Sequence, residues 1–385
     1  MRGLRLITVA SVLVGSAVTA TPSLAAVSIT PQKTWQVANG AVKAIAVLNG
    51  KVYVGGTFTR VMAKAPSTRT VARHHLAAFD QSTGNLLPWR PNADRAVYAL
   101  VARGKTVYAG GAFLHANGRK HRYLAAFDAT HRGRLRRWHA NTDNIVRALV
   151  ANRTRLFVGG DFHHLNGKYH KRLGAVAVRS GRLVRWGPRA DGRVTALALS
   201  PSGTRVYAGG AFSVVSRHKT AHLAAISAGT GKVGRWRSHP DFIVWGIDTY
   251  RKRVFVAGGG EGGHLAAYST GGRRYWIRLA DGDFQTVSVS RGTVYGGGHF
   301  DHLCKGSKGG GTPWQCNTAS ATRHKILSVT ALHGTLTKWD PQAHGGPIGV
   351  WVINAGRKIE TGGYFTKWGP HKALITQARF AQFSR

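Results

Sequence analysis

The chain repeats one short pattern seven times, and this repetition limits the fold more than any other feature of the sequence. Each copy is a run of β-branched and aromatic residues that ends in glycines. The copies begin at Val52, Val107, Leu156, Val206, Val254, Val294 and Ile359. Their spacing of 40 to 65 residues brackets the period of about 40 to 50 residues expected for a four-stranded propeller blade. We number the stretches around these copies repeats 1 to 7.

A second pattern follows the first in six repeats and predicts further strands. In repeat 1 it reads LAAFDQSTGNLLPW from Leu76, which is typical of a strand, a glycine turn, a strand and a closing tryptophan. Another alternating run, VYALVA from Val97, comes after the tryptophan. We therefore expect an all-β fold, a seven-bladed β-propeller of four-stranded antiparallel blades, in a single domain over residues 26–385.

The last repeat is truncated, and the N-terminal region contains the part that it lacks. RFAQFS from Arg379 matches the start of the second pattern, and the chain then ends without a closing tryptophan. Trp35 has a closing strand and a link, but no preceding pattern. We expect the N-terminal strand around Trp35 to pair with the segment from Phe380 to Phe383 and to close the ring, which leaves no long edge unpaired.

The first 25 residues have the composition of a secretory signal peptide. Arg2 and Arg5 precede an apolar run, and Ser23-Leu24-Ala25 offers small residues for cleavage after Ala25. The run contains serine, threonine and glycine and is shorter than the roughly 20 apolar residues of a spanning helix, so a membrane anchor is the weaker alternative. We predict a secreted protein, extracellular or associated with the cell wall, without a transmembrane segment in the mature chain.

The three patterns VYxGGxF, LAAFDxxTGxLxxW and WxPxADxxVxAL together resemble those of secreted actinobacterial β-propeller repeat proteins, the delta-60 repeat class. The resemblance covers nearly all of the chain after residue 25 and implies a propeller without a specific ligand. AFDQSTGNLLPW, from Ala78 to Trp89, is also distantly similar to the tryptophan-docking repeat of quinoprotein dehydrogenases. The chain has no adjacent cysteine pair to cap a quinone, and we predict no cofactor.

Cys304 and Cys316 are the only cysteines, and both lie in one glycine-rich segment. In an oxidising compartment this spacing predicts a disulfide between them. The alternative is a two-cysteine metal site, with His299 and His302 just upstream of the cysteines. We predict the disulfide and no metal site.

Acidic residues are scarce, and five of them share one repeated position. The chain has 14 Asp and Glu against 55 Lys and Arg, a formal net charge of +41. Each of the five lies five residues after a closing tryptophan: Asp94, Asp143, Asp191, Asp241 and Asp281. We interpret them as structural acceptors for backbone N–H groups or partners of arginine, because catalytic carboxylates form a local pair. A ring that binds a cation is the alternative. The only glutamates, Glu261 and Glu360, lie in different repeats.

The segments between the two patterns concentrate the basic residues in six of the seven repeats. Their cations suit phosphate or carboxylate groups, and their aromatic rings can stack on sugars or bases. One alternative is that these side chains are only solvated and bind no ligand. Another is that the histidines of repeat 3, including His170, bind metal adventitiously. The predicted ligand-binding residues are Arg119, Lys120, Arg122, Tyr123, His163, His164, Lys168, Tyr169, Lys171, Arg172, Arg217, His218, Lys219, Lys367 and Trp368.

These features predict a monomeric, non-catalytic binding or scaffold module that recognises an anionic extracellular polymer or a protein. The alternative is a secreted hydrolase or lyase that acts on an extracellular polysaccharide or wall polymer, although no catalytic residue can be named. Nucleic-acid binding is supported by charge alone, because no recognition motif is present. Catalytic groups should break the repeat and converge at the mouth of the central channel, whereas binding groups can spread around the rim.

Overall fold

The computed structural model describes residues 26–130, 132–237, 239–260, 262–304, 319–347 and 349–385. Within these ranges the fold is all-β, and the one helical element is a short 3-10 turn at His371–Ala373. The predicted signal peptide, Glu261 and Cys316 lie outside the described residues, so signal cleavage and the disulfide stay predictions. None of the described helical structure is long and apolar enough to cross a membrane.

Each repeat contributes a first, a second and a third strand, and most repeats add short strands between the second and the third. In repeats 1 and 2 the strands are β1 (Gln36–Val37), β2 (Val42–Leu48), β3 (Lys51–Gly56), β4 (Arg60–Met62), β5 (Thr70–Ala72), β6 (Leu76–Asp80), β7 (Val97–Arg103), β8 (Thr106–Gly111), β9 (His115–Ala116), β10 (Arg119–Lys120) and β11 (Leu124–Asp128). In repeats 3 and 4 they are β12 (Val146–Ala151), β13 (Arg155–Gly160), β14 (His164–Leu165), β15 (Lys168–Tyr169), β16 (Leu173–Ala177), β17 (Arg193–Leu199), β18 (Arg205–Ala211), β19 (Val214–Val215), β20 (His218–Lys219) and β21 (Leu223–Ser227). In repeats 5 to 7 they are β22 (Ile243–Tyr250), β23 (Arg253–Gly259), β24 (Gly263–Ser269), β25 (Arg274–Ala280), β26 (Phe284–Ser290), β27 (Thr293–Gly298), β28 (His302–Cys304), β29 (Ala319–Thr322), β30 (Ile326–Thr330), β31 (Ala343–His344), β32 (Val350–Ala355), β33 (Ile359–Gly363), β34 (Lys367–Trp368), β35 (Ile375–Thr376) and β36 (Phe380–Phe383).

The sheets are small and antiparallel, and each repeat has one that joins its first, second and third strands. These sets are β2-β3-β6, β7-β8-β11, β12-β13-β16, β17-β18-β21, β22-β23-β24, β26-β27-β30 and β32-β33-β36. The first strand of every set contacts the first strand of the next set, and β32 of the last set contacts β2 of the first. This arrangement is consistent with a propeller-like architecture.

The predicted fourth strand is regular only in repeat 5, where β25 pairs with β24. In repeat 1 the closing segment makes a single bridge, between Phe79 and Leu86. The chain leaves the sheet there because its tryptophan packs against the next repeat, where Trp89 Nε1 donates to the carbonyl of Asp128 at 2.8 Å. The expectation of four regular strands in every repeat is therefore corrected to three strands and a bridge in most of them.

The hydrophobic core lies between neighbouring sheets, and the glycine pair of the first pattern lets these sheets approach. A Cβ atom on Gly55 would lie 2.6 Å from Cγ1 of Val97, on the first strand of the next repeat. Val97 is completely buried beside Tyr53 and Trp89. Glycine at this position is thus explained by packing, because any larger side chain would force the two sheets apart.

The N-terminal segment lies along the C-terminal strand. Ser28 N donates to Ser384 O at 2.9 Å, and Gln32 N donates to Gln382 O at 2.8 Å. Trp339 Nε1 donates to Ser28 O at 2.9 Å. The strand next to Trp35, β1, pairs with β4 and not with β36. The two ends of the chain therefore meet through residues on both sides of Trp35, but not through the predicted pairing of its strand with Phe380 to Phe383.

A buried polar cluster joins the same two ends. Glu360 is completely buried and accepts hydrogen bonds from Gln81 Nε2 at 2.7 Å and Asn354 Nδ2 at 2.8 Å. Lys358 Nζ donates to Gln32 Oε1 at 2.7 Å and to the carbonyl of Gln81 at 2.6 Å. Burial raises the pKa of Glu360. The corresponding positions of the other repeats hold aromatic residues: Tyr53, Tyr108, Phe157, Tyr207, Phe255 and Tyr295.

Candidate functional site

Repeats 2, 3 and 4 form two-stranded hairpins between their second and third strands, β9–β10, β14–β15 and β19–β20, which we call the outer hairpins. In repeat 2, Asn117 Oδ1 accepts from Asn92 N at 2.8 Å, and its Nδ2 donates to Gly133 O at 3.0 Å. Gly133 lies beyond Asp128, at the far end of β11. The hairpin therefore runs along the sheet from one end to the other.

The repeated aspartates fix the bases of the outer hairpins. Asp94 Oδ1 accepts from the backbone N–H of Leu114 at 2.8 Å and of His115 at 3.1 Å, and Asp94 Oδ2 lies 2.9 Å from His115 Nδ1. Partial burial raises the pKa of Asp94, but the hydrogen bonds from His115 and Leu114 outweigh that effect and lower it. This carboxylate thus acts as a bound acceptor that holds the hairpin to the link before it.

The other four aspartates repeat this contact or lack the hairpin that makes it. Asp143 binds the backbone of His163 and His164 together with His164 Nδ1, and Asp281 does the same in repeat 6 with Asp301 and His302. Asp191 accepts only the N–H groups of Ser213 and Val214, both at 2.9 Å. At Asp241 no equivalent hairpin exists, because β23 and β24 are joined by a short loop.

Most of the predicted ligand-binding residues are exposed, but two are tied to the fold. Tyr123 and Arg172 both lie just before a third strand and have left-handed backbone conformations, each with φ 64°. Arg172 Nη1 donates to the carbonyls of Ala190 at 3.2 Å and Asp191 at 3.0 Å. The side chains with high exposure are Arg119, Lys120, Arg122, His163, His164, Lys168, Tyr169, Arg217, His218, Lys219 and Lys367, while Lys171 is half-buried.

Trp368 is placed differently from the sequence prediction. Its side chain is completely buried, packs on Phe365 and Phe383, and donates from Nε1 to Gln377 O at 3.1 Å. Repeat 7 has a three-stranded sheet, β31-β34-β35, in place of an outer hairpin. This extra strand covers the indole, so Trp368 is a core residue that offers no surface to a ligand.

The cations on the outer hairpins have no acidic partner. None of the side chains of Arg119, Lys120, Lys168, Arg217 and Lys219 makes a hydrogen bond or ion pair with a described residue. In repeat 3, Tyr169 adds an aromatic surface that is 49% exposed. In the described ranges, no group of three or more His, Cys, Asp or Glu side chains is arranged to hold a metal ion. The outer hairpins thus present unpaired positive charge at three successive repeats.

A second candidate site, which the sequence analysis missed, lies where the first strands begin. Every first strand has a register shift that leaves one residue out of the pairing, as in a β-bulge. These residues line one cavity of about 470 Å³. Each is only partly buried, although the valine or phenylalanine before it is completely buried. They are Lys43, Tyr98, Arg147, Thr195, Trp245, Gln285 and Trp351.

The sequence does contain a signal for this cavity, namely the contrast between constant and variable positions. The buried residue before the bulge is valine in six repeats and phenylalanine in one, whereas the bulged residue is basic, aromatic or neutral and polar. The buried residue that the fold requires is therefore nearly constant among the repeats, whereas the bulged residue varies. A comparison of the repeats at this position would have identified the cavity.

Lys43 is the unpaired charge of the cavity. Its Nζ lies 3.0 Å from the ring centroid of Trp351 and 4.7 Å from that of Tyr364. Burial lowers the pKa of Lys43 to about 8, while the two aromatic rings favour its charged form. Lys43 has no hydrogen-bond acceptor or carboxylate among the described residues. An ammonium group with only aromatic neighbours is suited to bind an anion.

Arg147, by contrast, already has a carboxylate partner. Its Nη2 lies 2.7 Å from Asp161 Oδ2, and Arg193 Nε lies 2.9 Å from Asp161 Oδ1. Burial raises the pKa of Asp161, but the hydrogen bond and charge of Arg147 and the charge of Arg193 outweigh it and lower the pKa. Asp161 therefore stays ionised at neutral pH and holds Arg147 at the edge of the cavity.

Comparison with known proteins supports the fold and no more. No family model matches the chain, and no curated protein sequence does either. Among solved structures, the chain is similar to the crystal structure of the computationally designed Ika8 protein, with a TM-score of 0.53 and 12% identity over 94% of this chain and 100% of that one. The fold is propeller-like. At this identity the propeller-like similarity says nothing about a ligand.

Proposed function

We propose that this protein is a secreted, seven-bladed β-propeller that binds an anionic extracellular polymer along its outer hairpins. The unpaired cations on three successive hairpins are the observation that carries the proposal. Cations without carboxylate partners keep their full attraction for phosphate or carboxylate groups of a ligand. In a chain with a formal net charge of +41, they are also placed in a strongly positive field.

Two contacts support the closed ring of seven blades within this proposal. The first strand of repeat 7 contacts the first strand of repeat 1, and the N-terminal segment lies along β36. The motifs that resemble the secreted actinobacterial repeat proteins support export and membership in that class.

The regular placement of the hairpins favours a polymer over a small anion. Asn117 in repeat 2 and Asn166 in repeat 3 make equivalent hydrogen bonds, because Asn166 Oδ1 accepts from Asn141 N and its Nδ2 donates to Gly181 O, both at 2.9 Å. The hairpins are therefore held in equivalent positions on successive repeats. A chain of regularly spaced negative charges can contact several of them at once, and each contact adds released counterions to the binding free energy.

A matched pair of triple variants tests this proposal. In the first, Arg119, Lys120 and Arg217 on the outer hairpins are changed to glutamine. In the second, Arg103, Lys105 and Arg153, which lie in or next to the turns between first and second strands, are changed to glutamine, so both proteins lose three charges. Polygalacturonate binding is measured by calorimetry at several salt concentrations, with single-stranded DNA as a second polyanion.

We expect the hairpin variant to bind polygalacturonate at least about tenfold more weakly, with a salt dependence reduced by up to about three counterions. The turn variant should stay close to the unmodified protein. Equal losses in the two variants would mean that the attraction is a nonspecific field of a very basic protein, and the hairpin site would have to be abandoned.

A further inference from the structure

We propose that the cavity at the start of the first strands binds a small acidic sugar, with the sugar carboxylate on Lys43. The residues of this cavity lie on the first strands, apart from Thr57 and Tyr364 just after two second strands, and none of them belongs to the outer hairpins. The inference therefore goes beyond the polymer site and does not depend on it.

The repeated bulge is the first observation that supports this site. A bulge leaves one residue out of the ladder and redirects its side chain, which is why bulges are frequent next to binding and active sites. Here the same bulge occurs in each of the seven first strands, and all seven bulged residues line one cavity. The backbone feature is constant while the side chains differ, so seven equivalent positions produce an asymmetric lining that suits an asymmetric ligand.

One cation of the cavity has no carboxylate partner. Lys43 is that cation, because Arg147 contacts Asp161 at 2.7 Å. A single carboxylate would neutralise the Lys43 ammonium and accept its N–H donors. The Lys43 ammonium thus suits a ligand that carries a carboxylate.

The remaining walls suit a sugar ring. A pyranose has flat C–H faces, which pack on aromatic rings such as those of Tyr98 and Trp245, and hydroxyl edges, which need hydrogen-bonding partners. Gln285 supplies an amide, and Thr195 Oγ1 donates to Val244 O at 2.6 Å, so its oxygen can still accept a hydrogen bond.

The size of the cavity agrees with this class of ligand. Its volume of about 470 Å³ lies within the range of roughly 300 to 1,000 Å³ that small-molecule sites occupy. The lining residues lie near the end of the sheets where the links enter the first strands.

Calorimetric titration of the purified protein with D-glucuronate, D-glucose, acetate and inorganic phosphate tests the inference. Two cavity variants, Lys43→Met and Gln285→Leu, are compared with Lys105→Met, which removes an equal charge from an exposed turn. Melting curves establish that each variant is folded. The triple hairpin variant is included to separate this site from the polymer site.

We expect saturable 1:1 binding of glucuronate, at least about tenfold tighter than that of glucose or acetate, which is the gain typical of one charge-assisted hydrogen-bonding contact. Lys43→Met should abolish this preference and Gln285→Leu should weaken both sugars, while Lys105→Met and the hairpin variant bind normally. The inference is overturned if glucuronate shows no saturable binding, if phosphate or acetate binds as tightly as glucuronate, or if Lys43→Met and Lys105→Met behave alike.

Discussion

The junction between repeats 1 and 2 and the junction between repeats 7 and 1 solve the same packing problem with different chemistry. At the first, the Tyr53 hydroxyl donates to the carbonyl of Ala129 at 2.8 Å, and the Tyr53 ring packs edge-on against Trp89 at 4.9 Å. At the second, Glu360 replaces the tyrosine and Gln81 takes the place of Ala129, with a hydrogen bond of 2.7 Å between them. Aromatic packing with hydrogen bonds from Tyr53 and Trp89 holds one junction, and a buried carboxylate-amide pair holds the other.

The difference follows from chain connectivity. Repeats 1 and 2 are joined by a short covalent link, so aromatic packing with hydrogen bonds to single backbone carbonyls is sufficient to keep them in register. Repeats 7 and 1 have no such link, and their sheets must recognise each other across nearly the whole chain. A buried carboxylate that is satisfied by only one arrangement of amides penalises every other arrangement. The polar pair thus supplies selectivity that the covalent link supplies elsewhere.

The largest effect is expected from removal of the N-terminal segment. A chain that begins after Val37 loses the hydrogen bonds of Ser28 and Gln32 to the C-terminal strand and exposes the edge of β36. We expect its midpoint of thermal unfolding to fall by more than about 10 °C, as for a loss of several kcal/mol. Differential scanning calorimetry measures this. If the truncated chain melts at the same temperature as the intact mature chain, the N-terminal segment does not hold the junction.

A smaller effect is expected from Glu360→Leu. This change leaves the amides of Gln81 and Asn354 buried without an acceptor, which should lower the free energy of unfolding by about 3 kcal/mol. Tyr53→Leu at the first junction is the matched change, and there the loss should come mainly from apolar contacts. Urea denaturation compares the two. A Glu360→Leu protein as stable as the unmodified one would show that the polar pair contributes nothing to this junction.

Glu360 also predicts a dependence on pH. Because burial raises its pKa in the folded state, the stability that this group contributes is fully present below its unfolded value and is lost as pH rises through the folded value. The unmodified protein should therefore gain stability relative to Glu360→Gln, which does not titrate, as the pH is lowered from about 7 to about 5. Parallel denaturation curves across this range would contradict the raised pKa.

The smallest effect is expected from two matched tryptophan changes. Trp89→Phe removes the Nε1 donor to Asp128 O, and Trp339→Phe removes the donor to Ser28 O, at 2.8 and 2.9 Å respectively. Each change should cost about 1 to 2 kcal/mol for the lost hydrogen bond and the smaller ring. Equal losses of unfolding free energy would show that the N-terminal segment is held as firmly as a neighbouring repeat that is joined by a covalent link. A loss confined to Trp89→Phe would show that the Ser28 region frays.

The repeat count made much of the fold predictable. Seven copies of VYxGGxF-like patterns predicted second strands, and the structure has a strand at each of them, from β3 to β33. The closing segments were less predictable. Phe79 and Leu86 have the pattern of a strand pair, but whether such a pair continues depends on where the following tryptophan packs, and that is a tertiary effect.

The candidate sites were predicted less completely than the fold. The hairpin cations could be predicted from the sequence alone, because the exposure of a basic side chain does not depend on a specific partner residue. The burial of Trp368 could not, since it depends on the extra strand β35. Lys43 was missed for a different reason. It stands alone in sequence, and only the bulge and the neighbouring sheet bring it to Trp351.

The contact between the two ends also fixes an order of events during synthesis. Gln377 Nε2 donates to Thr34 Oγ1 across 343 positions of the chain, and Ala378 N donates to Gln36 Oε1 across 342. Thr34 and Gln36 therefore leave the ribosome long before their partners Gln377 and Ala378 do. Such long-range contacts form late. The nascent chain can assemble its sheets one after another, but the segment around Thr34 lacks these partners until Gln377 and Ala378 have been made.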